Sequence, residues 1–228
     1  RAIHLRKGPV IQIQFRTVRI DGRGKIAVLT KSLDSIHPQF IELLRAGYSI
    51  LALSYFGDDY LGSTPQLSAP DQCGKEEMKN IFQARRYIQS VAPHTPVFLW
   101  GHSYGGYLTN VAATYYANQA PWTGFVACSG ISNIKILPAV SSKVVNPTLD
   151  PIQAIDLLRA PHLMCHGARD GIVRPDQALS FIEAGRKLDK PIYSYISEQE
   201  GHVFGDPESW PQWTTALKEF LKASSKTP

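Results

Sequence analysis

Val97-Phe98-Leu99-Trp100-Gly101-His102-Ser103-Tyr104-Gly105-Gly106 is the stretch on which the reading of this chain turns. Four apolar residues run into G-x-S-x-G, and a helix-like stretch follows over 107–118. Strand, sharp turn and helix in that order are the setting of a nucleophile elbow. A serine hydroxyl attacks a carbonyl carbon poorly unless a base activates it and the turn presents it to substrate. Glycines flank it because a Cβ there would collide with the adjoining strand and helix. Ser103 is therefore the candidate nucleophile.

In this arrangement the acid and then the base follow the serine along the chain. Residues 161–167, PHLMCHG, read as a short buried strand ending in glycine, and Asp170 lies on the loop just beyond it. A second strand over 191–196 leads into Ser197-Glu198-Gln199-Glu200-Gly201-His202, so His202 also lies on a loop past a strand end. Each gap holds at least one helix and one strand, so the three side chains can converge at one edge of a parallel sheet. Ser103 would attack, His202 would take and return the proton, and Asp170 would fix the imidazole tautomer. Singly, Asp170 reads as a turn residue and His202 as a solvated loop histidine. Their order, each after its own strand, favours the triad.

Other candidates weigh less. His166 lies on the strand side of Gly167 and reads as a packed structural residue. His102 precedes the nucleophile, so its side chain is expected on the other side of the turn. Asp150, Asp156, Asp176 and Asp206 flank helices and read as caps or solvated residues. A metal site is not expected: His162 and His166 are four apart in a strand, which separates them by about 13 Å. Cys73, Cys128 and Cys165 show no CxxC spacing. The chemistry calls for no cofactor.

Four segments give the chain a family resemblance: GHSYGGYLTN around Ser103, HGARDGIVRP around Asp170, EGHVF around His202, and AGYSILALSYFGDDYLGS at 46–63. Together they resemble the catalytic domain of the prolyl oligopeptidase-like serine peptidases, which are α/β-hydrolases. The likeness spans residues 25–222. It implies that Tyr55, in Ser54-Tyr55-Phe56-Gly57, donates its hydroxyl to the oxyanion beside the backbone N–H of Tyr104, the residue after the nucleophile. There are departures. No H-G-G-P-like turn follows the strand at 26–29, which places more weight on Tyr55, and Phe56 stands where the family usually has arginine. Many members carry a β-propeller, for which 228 residues leave no space.

The length fits one α/β-hydrolase domain over 1–228, with a 43% hydrophobic fraction ordinary for a globular protein. Apolar runs fall far short of a membrane span, so no membrane partner is expected. The first eight residues are too polar for a signal peptide, although a chain beginning at Arg1 leaves room for an upstream segment. Three scattered cysteines suggest free thiols and a reducing, cytoplasmic setting. The net charge of +5 comes with no RRM, helix-turn-helix or zinc-finger pattern, so no nucleic-acid partner is expected.

Alternation predicts antiparallel edge strands over 10–20 and core strands at 25–30, 49–54, 97–100, 125–129, 163–165 and 192–196. Helices are predicted at 38–46, 75–91, 104–118, 152–159 and 175–188. A last helix should follow a capping box at Ser209-Trp210-Pro211-Gln212 and bury Trp213, Leu217, Phe220 and Leu221. Residues 131–151 lie where α/β-hydrolases insert lids, and are long enough for a short lid or substrate wall. The function expected is a serine hydrolase acting through an acyl-enzyme, tipped toward short peptides by the resemblance. A carboxylesterase or thioesterase using the same triad is the alternative. A non-catalytic or acyl-transfer protein on the scaffold is disfavoured by the complete set Ser103, Asp170 and His202.

Overall fold

The computed structural model of the chain describes residues 25–30, 48–53, 72–138 and 145–225. The strands expected over 10–20, the helix expected at 38–46, and Tyr55 lie outside the described residues. Within them, six strands form one sheet: β1 (Lys25–Thr30), β2 (Tyr48–Leu53), β3 (Val97–His102), β4 (Gly124–Cys128), β5 (His162–Gly167) and β6 (Ile192–Ser197). Their order is β2-β1-β3-β4-β5-β6, and every neighbouring pair is parallel. All C-terminal strand ends therefore share one edge. The order reverses between β1 and β3, and the crevice beyond such a switch point is where open α/β sheets place ligands.

Helices cover both faces because the central strands β3 and β4 bury side chains on both. In β3, Val97 and Leu99 pack on one side with α1 (Lys75–Val91) and α2 (Tyr104–Ala113), through Met78, Ile81, Ile88, Leu108 and Val111. The alternate residues Phe98 and Trp100 face α4 (Trp210–Ser224), through Trp213, Leu217 and Phe220. Trp100 and Trp213 meet edge to face, 5.7 Å apart at 89°. The helix α3 (Asp176–Lys187) presses Ala178, Phe181 and Ile182 onto Ala127 and Met164. This two-sided pattern is the α/β-hydrolase layering that the strand and helix alternation predicts.

Two local expectations are corrected. Residues Pro151–Leu157 form 3-10 turns rather than an α-helix, kinked at Ala154 (φ −118°, ψ 21°). Ser209 does precede α4, but its side chain makes no capping bond to that helix. The hydroxyl is instead spent on the Glu200 carboxylate and on the carbonyl of Asp206, 3.0 Å away. A capping serine accepts from the helix amides, whereas this hydroxyl is turned to donate to a buried carboxylate, a charge-assisted bond.

Candidate active site

Ser103 joins β3 to α2 with φ 56° and ψ −120°, a conformation that costs a non-glycine residue about 1–3 kcal/mol. The surroundings enforce it. The Ser103 N–H donates to the carbonyl of Cys128 at the end of β4 (2.9 Å), and the Ser103 carbonyl accepts from Tyr107 N–H (3.0 Å). A Cβ on Gly101 would lie 1.9 Å from the carbonyl oxygen of Gly105, and one on Gly106 would lie 2.7 Å from Cα of Gly130. The turn can be this tight only because both positions are glycine.

Asp170 and His202 arrive from the ends of β5 and β6, whose loops are stitched together. Ala168 N–H donates to Ser197 (2.8 Å) and Arg169 N–H to the Glu200 carbonyl (3.0 Å). A Cβ on Gly167 would lie 2.3 Å from the Glu200 carbonyl oxygen, so glycine is required for that approach. Glu200 is itself buried, and its carboxylate accepts from the N–H groups of Gly205 and Asp206 (3.1 Å each) and from the Ser209 hydroxyl. This closes the loop that carries His202 into a compact turn.

The three candidate residues meet. His202 Nδ1 lies 2.8 Å from Asp170 Oδ2, and His202 Nε2 lies 2.9 Å from Ser103 Oγ. Asp170 is buried, and its Oδ1 accepts from the N–H groups of Ile172 and Val173 (2.9 Å each). Burial alone would push its carboxyl up. The bond from His202 and the two backbone donors outweigh that and hold it below the ordinary carboxylate range. An ionised Asp170 only accepts, so the imidazole proton sits on Nδ1. Nε2 then turns a lone pair toward the serine hydroxyl. This arrangement can move a proton off Ser103 and store it on His202.

The rejected candidates also find places. His166 is fully buried and donates from Nε2 to the carbonyl of Val173 (2.7 Å), 3.3 Å from Asp170 Oδ2. It packs behind the carboxylate, as a structural histidine would, and burial pushes its basicity down. His102 is a correction. It does not turn away to the far side of the elbow: its Nε2 lies 2.6 Å from the carbonyl oxygen of His202. Its alternate position in β3 puts it beside the incoming loop, a neighbourhood that spacing does not reveal. Asp206 accepts Glu208 N–H (2.9 Å) in the turn before α4, and Asp150 accepts Ile134 N–H (2.9 Å).

Sequence reasoning missed Glu77. It is 3% exposed, and its two oxygens accept from Tyr104 OH and from Gly74 N–H, each at 2.8 Å. Burial pushes its carboxyl up despite those bonds. The position reads as an ordinary first-turn glutamate, and only the fold brings the Tyr104 phenol to it. Tyr104 is the first residue of α2, where N–H groups lack acceptors within the helix.

A family model described as the prolyl oligopeptidase family matches residues 37–227. The chain belongs to that family. Among its relatives are dipeptidyl aminopeptidase BIII of Pseudoxanthomonas mexicana, 21% identical over 203 residues, and dipeptidyl peptidase family member 6 of Caenorhabditis elegans, 24% identical over 207. The matches take in 78% and 79% of this chain but only 29% and 27% of those proteins. Solved structures share the α/β-hydrolase fold of the family. The acylaminoacyl peptidase of Pyrococcus horikoshii superposes with a TM-score of 0.75 at 18% identity, over 92% of this chain and 41% of its own. An acetyl ester-xyloside bifunctional hydrolase from Caldicellulosiruptor lactoaceticus superposes with a TM-score of 0.72 at 16% identity, over 97% of this chain and 91% of its own. No helix among the described residues is long and apolar enough to cross a membrane.

Proposed function

We propose that this chain is a serine hydrolase that opens an amide or ester carbonyl through an acyl-enzyme, with short peptides as its substrates. The observation that carries the reading is His202 suspended between Ser103 Oγ and Asp170 Oδ2, at 2.9 and 2.8 Å. Ser103 Oγ bonds to the carbonyl carbon as its proton passes to His202 Nε2. The imidazolium, steadied by Asp170, returns that proton to the leaving nitrogen or oxygen as the scissile bond breaks. Water, deprotonated by the same imidazole, then releases the acid and restores Ser103. The backbone N–H of Tyr104 is one donor to the oxyanion, aided by the positive end of α2. Residues 1–228 serve as one catalytic domain in this reading, and no metal or cofactor is needed.

The second donor proposed is Tyr55. It follows β2, whose end at Leu53 lies on the same sheet edge as the end of β3, with β1 between them. Tyr55→Phe keeps the ring and removes the hydroxyl. The expected result is a drop in kcat of about a hundredfold with little change in KM, measured with a p-nitrophenyl ester. Turnover at the parent rate would leave the oxyanion to backbone donors.

The alternative is a carboxylesterase or thioesterase using the same triad, because Ser103, His202 and Asp170 would open an ester carbonyl by the same steps. The two readings separate in one experiment. A fluorophosphonate label on the active serine is competed with panels of aminoacyl-anilides and p-nitrophenyl esters. Protection and turnover by anilides support the peptidase. Turnover of esters alone overturns it in favour of the esterase.

A further inference from the structure

We propose that His102 is a positioning residue for His202, tying the backbone of the histidine to the turn that carries Ser103. The proposal rests on the reading of His202 as the general base. His102 is the last residue of β3 and the immediate neighbour of Ser103. Its Nε2 lies 2.6 Å from the carbonyl oxygen of His202, 100 residues away in sequence. A carbonyl only accepts, so the His102 proton sits on Nε2 and the ring donates. The two imidazoles lie 4.9 Å apart, tilted by 54°.

The need for such a tie follows from the loop. His202 lies outside helix and strand, between Gly201 and Gly205. A Cβ on Gly201 would meet nothing nearer than the Arg169 carbonyl oxygen at 3.9 Å, so the backbone there has open space beside it. The Glu200 carboxylate clamps the loop at 205, 206 and 209, and the Arg169 N–H holds it at 200. The glycine between Glu200 and His202 leaves the base free to swivel about its own backbone. Bonds at the ring ends fix where the nitrogens point only if the Cα is fixed. The His102 bond fixes it, and its anchor is the residue next to the nucleophile. Any shift of the elbow then carries both partners of the proton transfer together. The second position of G-x-S-x-G tolerates many side chains. A histidine there reaches the base loop with an N–H donor that an aliphatic residue lacks.

The test compares His102→Leu, which keeps bulk and loses the donor, with His102→Gln, which keeps a terminal N–H. In p-nitrophenyl acetate hydrolysis, His102→Leu is expected to lose about ten- to a hundredfold in kcat with KM within about twofold, as a misplaced base does. His102→Gln should recover most of that loss. Proton NMR supplies a readout independent of turnover. The Nδ1 proton held between His202 and Asp170 should give a sharp downfield resonance, identified by its loss in His202→Gln. It should stay sharp in His102→Gln and broaden in His102→Leu. If His102→Leu fails to fold, as judged by thermal unfolding, His102→Met takes its place as a donorless variant of similar length. Parent-like kcat and a sharp resonance in the donorless variant overturn the proposal, as does a glutamine variant no faster than leucine. Should His202→Gln itself label with fluorophosphonate at the parent rate, the reading of His202 as base has failed, and the tie fails with it.

Discussion

Ser103→Ala is expected to abolish fluorophosphonate labelling and to lower hydrolysis by at least about 10⁴-fold, while the protein stays folded. The size of the loss follows from the chemistry. Without Oγ there is no acyl-enzyme, and water must attack a carbonyl with only the oxyanion donors and substrate binding to help. Those leave a residue of rate enhancement far below that of an intact triad. The fold should survive because alanine inherits the same backbone strain at φ 56° and loses one partly buried hydrogen bond to His202, worth about 1 kcal/mol. The elbow is held by backbone bonds at 103 and 107 that the substitution leaves intact. The measurement is labelling followed by mass spectrometry, with urea unfolding alongside. A label that persists on a different serine would move the nucleophile elsewhere.

His162 should make the fold acid-sensitive, and His162→Leu should lessen that sensitivity. His162 opens β5 with its ring fully buried, stacked against Phe125 at 5.9 Å and tilted on Phe181 at 5.6 Å. Neither ring nitrogen has a hydrogen-bond partner. Burial pushes its pKa from an ordinary 6.5 down to about 3. The sign then follows from linkage. Between pH 6.5 and 3 the unfolded chain binds a proton that the folded one refuses, so stability falls as pH falls through that window. The slope approaches about 1.4 kcal/mol per pH unit, and the loss reaches about 5 kcal/mol at its lower end. The depressed His166 adds to the same slope. Urea unfolding at pH 7 and pH 5 should therefore show a smaller drop for His162→Leu than for the parent. At pH 7 the variant should be more stable by about 1–3 kcal/mol, because two unpaired buried nitrogens are gone. Equal pH slopes in the two proteins would show that His162 does not titrate across folding.

The elements legible in the sequence are those whose burial has a single period. The strands at 97–102, 124–128 and 162–167 are buried on both faces, and α1 and α4 repeat apolar residues at helical spacing. Ser103 and Asp170 could be picked out because each follows such a strand, and His202 because it follows the β-branched and aromatic edge strand β6. What escaped depends on contacts across the chain. His102 and Glu77 carry no local pattern; their partners lie 100 and 27 residues away. Ser209 misled for a related reason. Its S-x-x-Q spacing favours a capping box, but Glu200, nine residues upstream, takes the hydroxyl as a donor and orients it there. The turns at Pro151–Leu157 show apolar spacing without the hydrogen bonding of an α-helix, and Ala154 breaks them with a non-helical backbone.

The segment between β4 and the 3-10 turns at Pro151–Leu157 is clipped at its neck. Asn110 donates to the Ile131 carbonyl (2.9 Å), and Gln177 Oε1 accepts from the N–H groups of Ser132 and Asn133 (2.9 and 2.8 Å). On the returning leg, Tyr107 OH accepts from Asn146 N–H and donates to the Leu149 carbonyl (3.3 Å each), while Asp150 reaches back to Ile134 N–H. Each grip comes from α2, α3 or the leg itself, so a change within the legs at 131–134 and 146–150 meets a fixed collar before it reaches the elbow. The proton-transfer geometry is thereby insulated from its surroundings, and sequence drift in these two legs is absorbed at the collar and not at Ser103.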